Sequence, residues 1–213
     1  MLRSIRTRLA SGRARTVAAM RLDGVDYEVR HMRLSDFRPW QKTRLRCEDR
    51  LAPAFAAEGR TWAEQNDVTS WVEYATPLIE GYRSRRTLPL VIYRRDAHGE
   101  EFLGEVGLCG IDDATRSGEM YGWIAPTKTR ITPWTLSTAV GMVLEPEYRL
   151  DRVIVPAAAA NAATRPGLQI LGFSDGGRRH ALRPYAGAPA DHDISYLDNT
   201  PENRAAIAKW AKA

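Results

Sequence analysis

Between Leu88 and Ala125 the chain lays down three strand-like runs in close succession, and no other stretch constrains the fold as much. Leu88-Pro-Leu-Val-Ile-Tyr93 and Phe102-Leu-Gly-Glu-Val-Gly-Leu-Cys-Gly-Ile111 are rich in β-branched, aromatic and other apolar residues. The segment between them, Arg94-Arg-Asp-Ala-His-Gly-Glu-Glu101, is polar and contains a glycine. Two such runs about a turn of that kind predict an antiparallel hairpin. After a second turn, Gly118-Glu-Met-Tyr-Gly-Trp-Ile-Ala125 reads as a third strand, and the sequence changes character at Pro126.

The flanking segments supply the layers such a meander needs. Val25-Asp-Tyr-Glu-Val-Arg-His-Met32 alternates apolar and polar residues like a half-buried strand. Ser35 or Asp36 is placed to cap a helix reaching about Arg50, with Pro53 punctuating the next connection. Trp62, Val68, Trp71, Val72, Ala75, Leu78 and Ile79 give a helical stripe over about Ala63 to Arg83, with a break or kink expected at Pro77. Beyond the meander, Thr132 as N-cap and Pro133 as first helical residue predict a helix through Leu136, Ala139, Val140 and Val143. A short strand follows at Asp151 to Pro156, then a helix from Asn161 to Leu171, a strand near Asp191 to Leu197, and a helix from Pro201. This order predicts an α+β domain: a mixed, mainly antiparallel twisted sheet flanked by helices.

At 213 residues the chain suits one such domain with a peripheral addition. Hydrophobic residues at 44% and charged residues at 27% exclude wholesale disorder and a small disulfide scaffold. No apolar run approaches the roughly 18–20 residues of a membrane span. Cys47 and Cys109 form no CxxC pair, and His31, His98, His180 and His192 form no HExxH spacing, so no metal site is expected. No P-loop, dinucleotide fingerprint or G-x-S-x-G elbow supports a phosphatase, dehydrogenase or hydrolase.

Charge is unevenly distributed. The first 50 residues hold 13 Lys and Arg against 6 Asp and Glu, whereas the whole chain is only +5. Arg3, Arg6, Arg8, Arg13, Arg15 and Arg21 precede the first acid, Asp23. Residues 1–22 therefore read as a basic N-terminal arm ahead of a domain over residues 23–213. Two readings of the arm stand side by side: a tether for nucleic acid or anionic lipid, and a frayed solvated terminus. Met20 is also a possible internal start. The absence of a signal-peptide pattern gives a cytoplasmic expectation.

Several strings in this order resemble the GNAT superfamily of acyl-CoA-dependent N-acyltransferases, in particular its RimJ/RimL-like branch of ribosomal-protein-alanine N-acetyltransferases. They are Phe102-Leu-Gly-Glu-Val-Gly-Leu108, Gly118-Glu-Met-Tyr-Gly-Trp-Ile-Ala-Pro126, Arg130-Ile-Thr-Pro133 before a helix, Asn161 ahead of Leu168-Gln-Ile-Leu-Gly-Phe173, and Asp191-His192. The resemblance spans about residues 23–198. It implies acetyl-CoA as cosubstrate and as acceptor an amine, a protein N-terminal α-amino group, with a ribosomal protein as the implied target. In such chemistry the amine attacks the thioester directly in a ternary complex. The site then needs a base, a donor for the developing oxyanion and a proton for the departing thiolate.

The resemblance also nominates residues. Glu119 matches the strand glutamate that accepts the amine proton; the alternative is a surface carboxylate of a strand. Trp123, Ile124 and Ala125 match the backbone that pairs with pantetheine and aims an N–H at the thioester oxygen. Asn161 matches the asparagine that contacts the cofactor, and an N-cap role is equally open. Tyr185 is the candidate acid for the thiolate, or else a packing residue in a turn. Asp191-His192 reads as structural, because neighbours in a strand face opposite ways.

The pyrophosphate-binding segment departs from the family pattern R/Q-x-x-G-x-G/A. Here the run is Ala125-Pro-Thr-Lys-Thr-Arg-Ile-Thr132, without glycine. β-Branched Thr129 and Ile131 resist the positive φ and close backbone approach that glycine allows. Lys128 and Arg130, with the N–H groups of Thr129 to Thr132 at the helix start, are left to hold an anion. Arg165-Pro166-Gly167 similarly weakens the helix that follows Asn161. These departures motivate a rival reading, a catalytically degenerate protein of the same fold that works as a protein-binding module.

Overall fold

The computed structural model describes residues 16–128 and 130–211. Residues 1–15 of the expected basic arm, and Thr129, lie outside the described residues. The rest of the arm is not an arm: Thr16–Leu22 is a strand, β1, paired antiparallel with Val25–His31, β2. The turn between them is Asp23-Gly24, both at positive φ (50° and 77°), which matches the twist of a tight hairpin. Val17, Ala18, Met20 and Leu22 pack on the core, and this apolar content draws the segment into the sheet.

Helices Phe37–Arg46 (α1) and Glu48–Phe55 (α2) replace the single helix expected up to Arg50. Pro53 lies within α2 rather than after it. Val68–Arg83 (α3) starts at Asp67, whose carboxylate accepts the Ser70 N–H at 2.8 Å. That helix runs uninterrupted through Pro77, so the expected break does not occur. The meander forms as expected: Leu88–Asp96 (β3), Gly99–Asp112 (β4) and Ser117–Ile124 (β5), successive and antiparallel.

Ile131–Val143 (α4) begins one residue before Thr132, with Arg130 at the N-cap and no side-chain cap bond. Thr132 and Pro133 are therefore second and third helical residues rather than cap and first. Arg152–Ala158 (β6) and Thr164–Ile170 (α5) follow. The strand expected near Asp191 is one arm of a long hairpin, Ser174–Tyr185 (β7) and Ala188–Asp198 (β8), and Pro201–Ala211 (α6) ends the described chain.

The eight strands form one sheet in the order β1-β2-β3-β4-β5-β6-β8-β7, so the expected mixed, mainly antiparallel α+β architecture is what forms. Only β5 and β6 are parallel. One face buries Leu90, Ile92, Leu103, Val106, Leu108 and Met120 under α4, α5 and α6, with Trp134 only 1% exposed. On the opposite face Val91, Tyr93, Phe102, Trp123 and Ala125 pack against Trp40, Leu51, Trp71 and Ala75 of α1, α2 and α3. Among the described residues no helix is long and apolar enough to cross a membrane.

Candidate active site

The site follows from one irregularity of the sheet. The parallel pair β5 and β6 is joined only at Ser117↔Arg152, Gly118↔Val153 and Glu119↔Ile154. Both strands continue, to Ile124 and Ala158, but without further pairing. They splay apart past Glu119 and open a cleft through the sheet. One wall is the free side of β5, and α4 begins beyond the end of that strand.

Antiparallel ladders alternate hydrogen-bonded and non-hydrogen-bonded residue pairs. The Ala125 N–H donates to the Leu103 carbonyl at 2.7 Å, which fixes the phase of the β4–β5 ladder. Gly122 and Ile124 consequently turn their N–H and C=O groups away from β4, into the cleft. Of the three expected positions, Ile124 alone presents its backbone to a ligand. Ala125 spends its N–H on the sheet, and the buried Trp123 indole donates from Nε1 to Glu105 Oε1 at 2.5 Å.

The start of α4 offers less to an anion than its sequence promises. The Ile131 N–H donates to the Lys128 carbonyl (3.0 Å) and the Trp134 N–H to the Arg130 carbonyl (3.3 Å), while Pro133 has no N–H. Among the described residues, of positions 131–134 only the Thr132 N–H is left without a backbone partner. Arg130 is exposed nearby. The Lys128 ammonium meets Asp23 Oδ2 at 2.5 Å, so the hairpin turn that begins the sheet holds the cation expected to face phosphate.

Glu119 is the last β5 residue paired with β6 and faces α1 to α3. Its carboxylate is engaged bidentately by Arg183 of β7, at 2.5 and 2.6 Å. This pairing raises the Arg183 guanidinium above its usual pKa. In sheet order β6 and β8 lie between β5 and β7. The contact forms because register shifts at Asp175/Arg178 and Arg179/Arg183, with Ala181 at φ 47°, bend the end of the hairpin over the sheet face. The tip is fixed there by the Ala186 N–H, which donates to the Pro53 carbonyl of α2 at 2.6 Å. Tyr185, two residues beyond Arg183, ends β7 and is half-buried at the tip of this hairpin.

Asn161 sits just after β6 and is half-buried. Its N–H donates to the Ala158 carbonyl (2.8 Å) and its carbonyl accepts the Thr164 N–H (3.3 Å). The N-cap of α5 is Ala163, so Asn161 shapes the turn before the helix instead of capping it. Asp191 and His192 form no dyad: Asp191 Oδ2 meets His180 Nδ1 at 3.0 Å, and His192 Nδ1 meets the Ala190 carbonyl at 3.0 Å. Among the described residues no cluster of His, Cys, Asp and Glu suits a metal ion.

Sequence reasoning missed a second polar group on the same face. Glu105 of β4 is 2% exposed and opposite Trp123. The Arg44 guanidinium, itself buried, donates from Nε to Asn66 Oδ1 at 2.5 Å. It lies 5.0 Å from the Trp40 ring, 4.8 Å from Trp62 and 5.7 Å from Trp123. Burial raises the Glu105 carboxyl above its ordinary pKa, opposed by Arg44 and by the Trp123 indole. The available signal was Glu105 itself, a lone charge within the apolar run Phe102 to Leu108.

No protein-family model and no curated protein matches this sequence. Solved structures do match the fold. Mycobacterium smegmatis RimJ, determined in complex with CoA-disulfide, superposes with a TM-score of 0.77 at 24% identity, over 92% of this chain and 94% of its own. The ribosomal-protein-S5-alanine acetyltransferase of Vibrio fischeri gives 0.72 at 17% identity, over 86% and 98%. An acetyltransferase from Salmonella typhimurium that modifies the N-terminal serine of the 50S subunit protein L7/L12 gives 0.66 at 13% identity, over 81% and 94%. At these identities the likeness is one of fold, and the fold is that of the RimJ- and RimL-like GNAT acetyltransferases.

Proposed function

We infer that the chain is an N-acetyltransferase that uses acetyl-CoA to modify an amine, in the first instance the N-terminal α-amino group of a protein. The observation that carries this reading is the splayed parallel pair β5 and β6, with the backbone of Gly122 and Ile124 turned into the gap. A slot with strand-like donors and acceptors along one wall suits the amide-bearing pantetheine arm, which can add to β5 as a strand would. Likeness of fold to a RimJ solved with CoA-disulfide and to two ribosomal-protein acetyltransferases supports the same reading and makes ribosomal proteins the acceptors to try first.

Bound acetyl-CoA would supply an activated acyl group. The protein's own part is to align and to manage protons. Ile124 N–H holds the arm, while Thr132 N–H, Lys128 and Arg130 face the phosphates once Lys128 leaves Asp23. The hairpin tip is fixed on α2, and Tyr185 at that tip is the candidate acid for the leaving thiolate. An α-amino group has an ordinary pKa of about 7.7–8.0, so deprotonation near neutral pH asks little of the base.

Calorimetric titration with acetyl-CoA, with free CoA as comparison, tests this. One-to-one binding in the micromolar range, about −8 kcal/mol, is expected. No heat and no thermal stabilisation at millimolar ligand would refute the reading and favour the binding-module alternative. Acetylation of ribosomal proteins, followed by mass spectrometry of their N-termini, then identifies the acceptor.

A further inference from the structure

The head of the gap between β5 and β6 is closed by a charge pair. Phosphates held where α4 begins would send the pantetheine arm back along β5, from Ile124 toward Glu119, five residues or about 17 Å away. The acyl end then reaches the last row at which the two strands still pair, Glu119↔Ile154. Both Glu119 oxygens are taken there by Arg183, at 2.5 and 2.6 Å. While that guanidinium covers both oxygens, it also repels an ammonium approaching them.

Arg183 is not a buried fixture. Its side chain is 51% exposed, against 23% for Glu119, and β7 is exposed along nearly its whole length. A long exposed side chain can leave its partner without breaking a backbone hydrogen bond. The bidentate geometry means that it leaves only for another carboxylate or at a cost.

A second arginine stands ready beside it. Across the hairpin Arg183 is opposite Ala190 and Arg179 is opposite His192. Ala190 and His192 are two residues apart on β8, so both arginines lie on one side of the hairpin, in rows about 7 Å apart. The neighbours of Arg179 are committed: Arg178 meets Asp193 at 2.9 Å and His180 meets Asp191 at 3.0 Å. On the Glu119 side of the sheet Arg152 is likewise paired, with Asp198 at 2.6 Å. Arg179 is exposed and forms no ion pair among the described residues. The surplus charge beside the clamp is therefore positive.

We propose that Arg183 is a specificity switch for acidic acceptors: a carboxylate in the first residues of the acceptor draws Arg183 off Glu119, with Arg179 as its second contact, and so uncovers Glu119 for the amine. The proposal rests on the acetyltransferase reading and names the substrate class within it. An acceptor without a carboxylate must break the clamp uncompensated, which is how the site discriminates. Once uncovered, Glu119 takes one proton from the ammonium, and the nitrogen lone pair forms the C–N bond at the thioester carbonyl. The C–S bond breaks with its electron pair on sulfur, and the second nitrogen proton ends on the thiolate. Glu119 then returns its proton to solvent.

The test uses the full chain, acetyl-CoA and two peptide amides, Ala-Asp-Ala-Ala and its neutral isostere Ala-Asn-Ala-Ala. For wild type, kcat/KM from thiol release should be about tenfold higher with the acidic peptide, and the ratio should fall as salt rises. In Arg183→Ala the neutral peptide should react about 2- to 10-fold faster than in wild type and the acidic one slower, closing the ratio to within about twofold. Arg179→Ala should narrow the ratio to about threefold. Acetyl-CoA affinity, measured by calorimetry, is expected to stay within about twofold in both variants, which shows that they fold. A wild-type ratio near one overturns the assignment. So does an Arg183→Ala protein that loses the same fraction of activity on both peptides, the result a merely structural clamp would give. If neither peptide is acetylated, or Arg183→Ala does not fold, the two peptides are titrated into wild type directly. About tenfold tighter binding of the acidic peptide, weakened by salt, supports the switch, and equal binding overturns it. Failure of acetyl-CoA binding alone counts against the acetyltransferase reading instead.

Discussion

Gly107→Ala is a severe test of how the meander is packed. A Cβ at this position would stand 2.4 Å from the Leu88 carbonyl oxygen and 2.6 Å from both Cζ and Oη of Tyr121. The first atom belongs to β3 and the others to β5, on either side of β4, so the strand has no direction in which to yield. Restoring ordinary contact of 3.4 Å or more requires a backbone shift of about 1 Å where three strands meet. Overpacking of this kind costs about 1–3 kcal/mol, and a clash with backbone belongs at the upper end. For a chain of this size about 3 kcal/mol lowers Tm by about 6–12 °C. Gly141→Ala is the control: it lies inside α4, and its nearest neighbour would be Ile207 Cγ2 at an ordinary 3.7 Å. The same substitution there should stabilise by about 0.4–1 kcal/mol through the unfolded chain. Scanning calorimetry with urea melts measures both. A Gly107→Ala protein melting within 1 °C of wild type would refute the packing argument.

Two further outcomes follow from individual contacts. Asp23→Asn releases Lys128 from a pair that is exposed on both sides (46% and 66%) and should tighten acetyl-CoA binding by about 1.4- to 5-fold, the worth of a surface ion pair. Calorimetry at low and high salt checks it, since the gain should shrink as salt rises. Tyr93→Phe removes the hydroxyl that donates to buried Asp36 Oδ1 at 3.0 Å; about 1 kcal/mol, or 2–4 °C in Tm, should be lost, because Arg30 and the Arg33 N–H still hold the carboxylate.

The sequence by itself determined the meander and the helices on either side of it. Alternation and turn chemistry are local signals, and Leu88 to Ala125 carried them without ambiguity. Composition also excluded a disulfide scaffold. Local signals misled where another part of the chain intervened. Thr16 to Leu22 reads as the end of a basic arm, yet its apolar residues gain more by pairing with β2 and packing on the core. Thr132 is a good N-cap in isolation, but α4 already begins at Ile131, which is buried in the core. Pro77 interrupts a pattern, and α3 packs through it.

Tertiary structure alone decided which chemical groups meet. Nothing local in Glu119 announces Arg183, which lies 64 residues away and reaches it only because the β7–β8 hairpin bends over the sheet. Nothing local in Lys128 announces Asp23, 105 residues earlier. Glu105 meets the Trp123 indole, 18 residues on, only because the strand register sets them opposite one another. Hydrogen-bonding periodicity is written in neighbouring residues, whereas the partner of a charge is chosen by the whole fold, and with it the proton affinity on which a reaction at this cleft would depend.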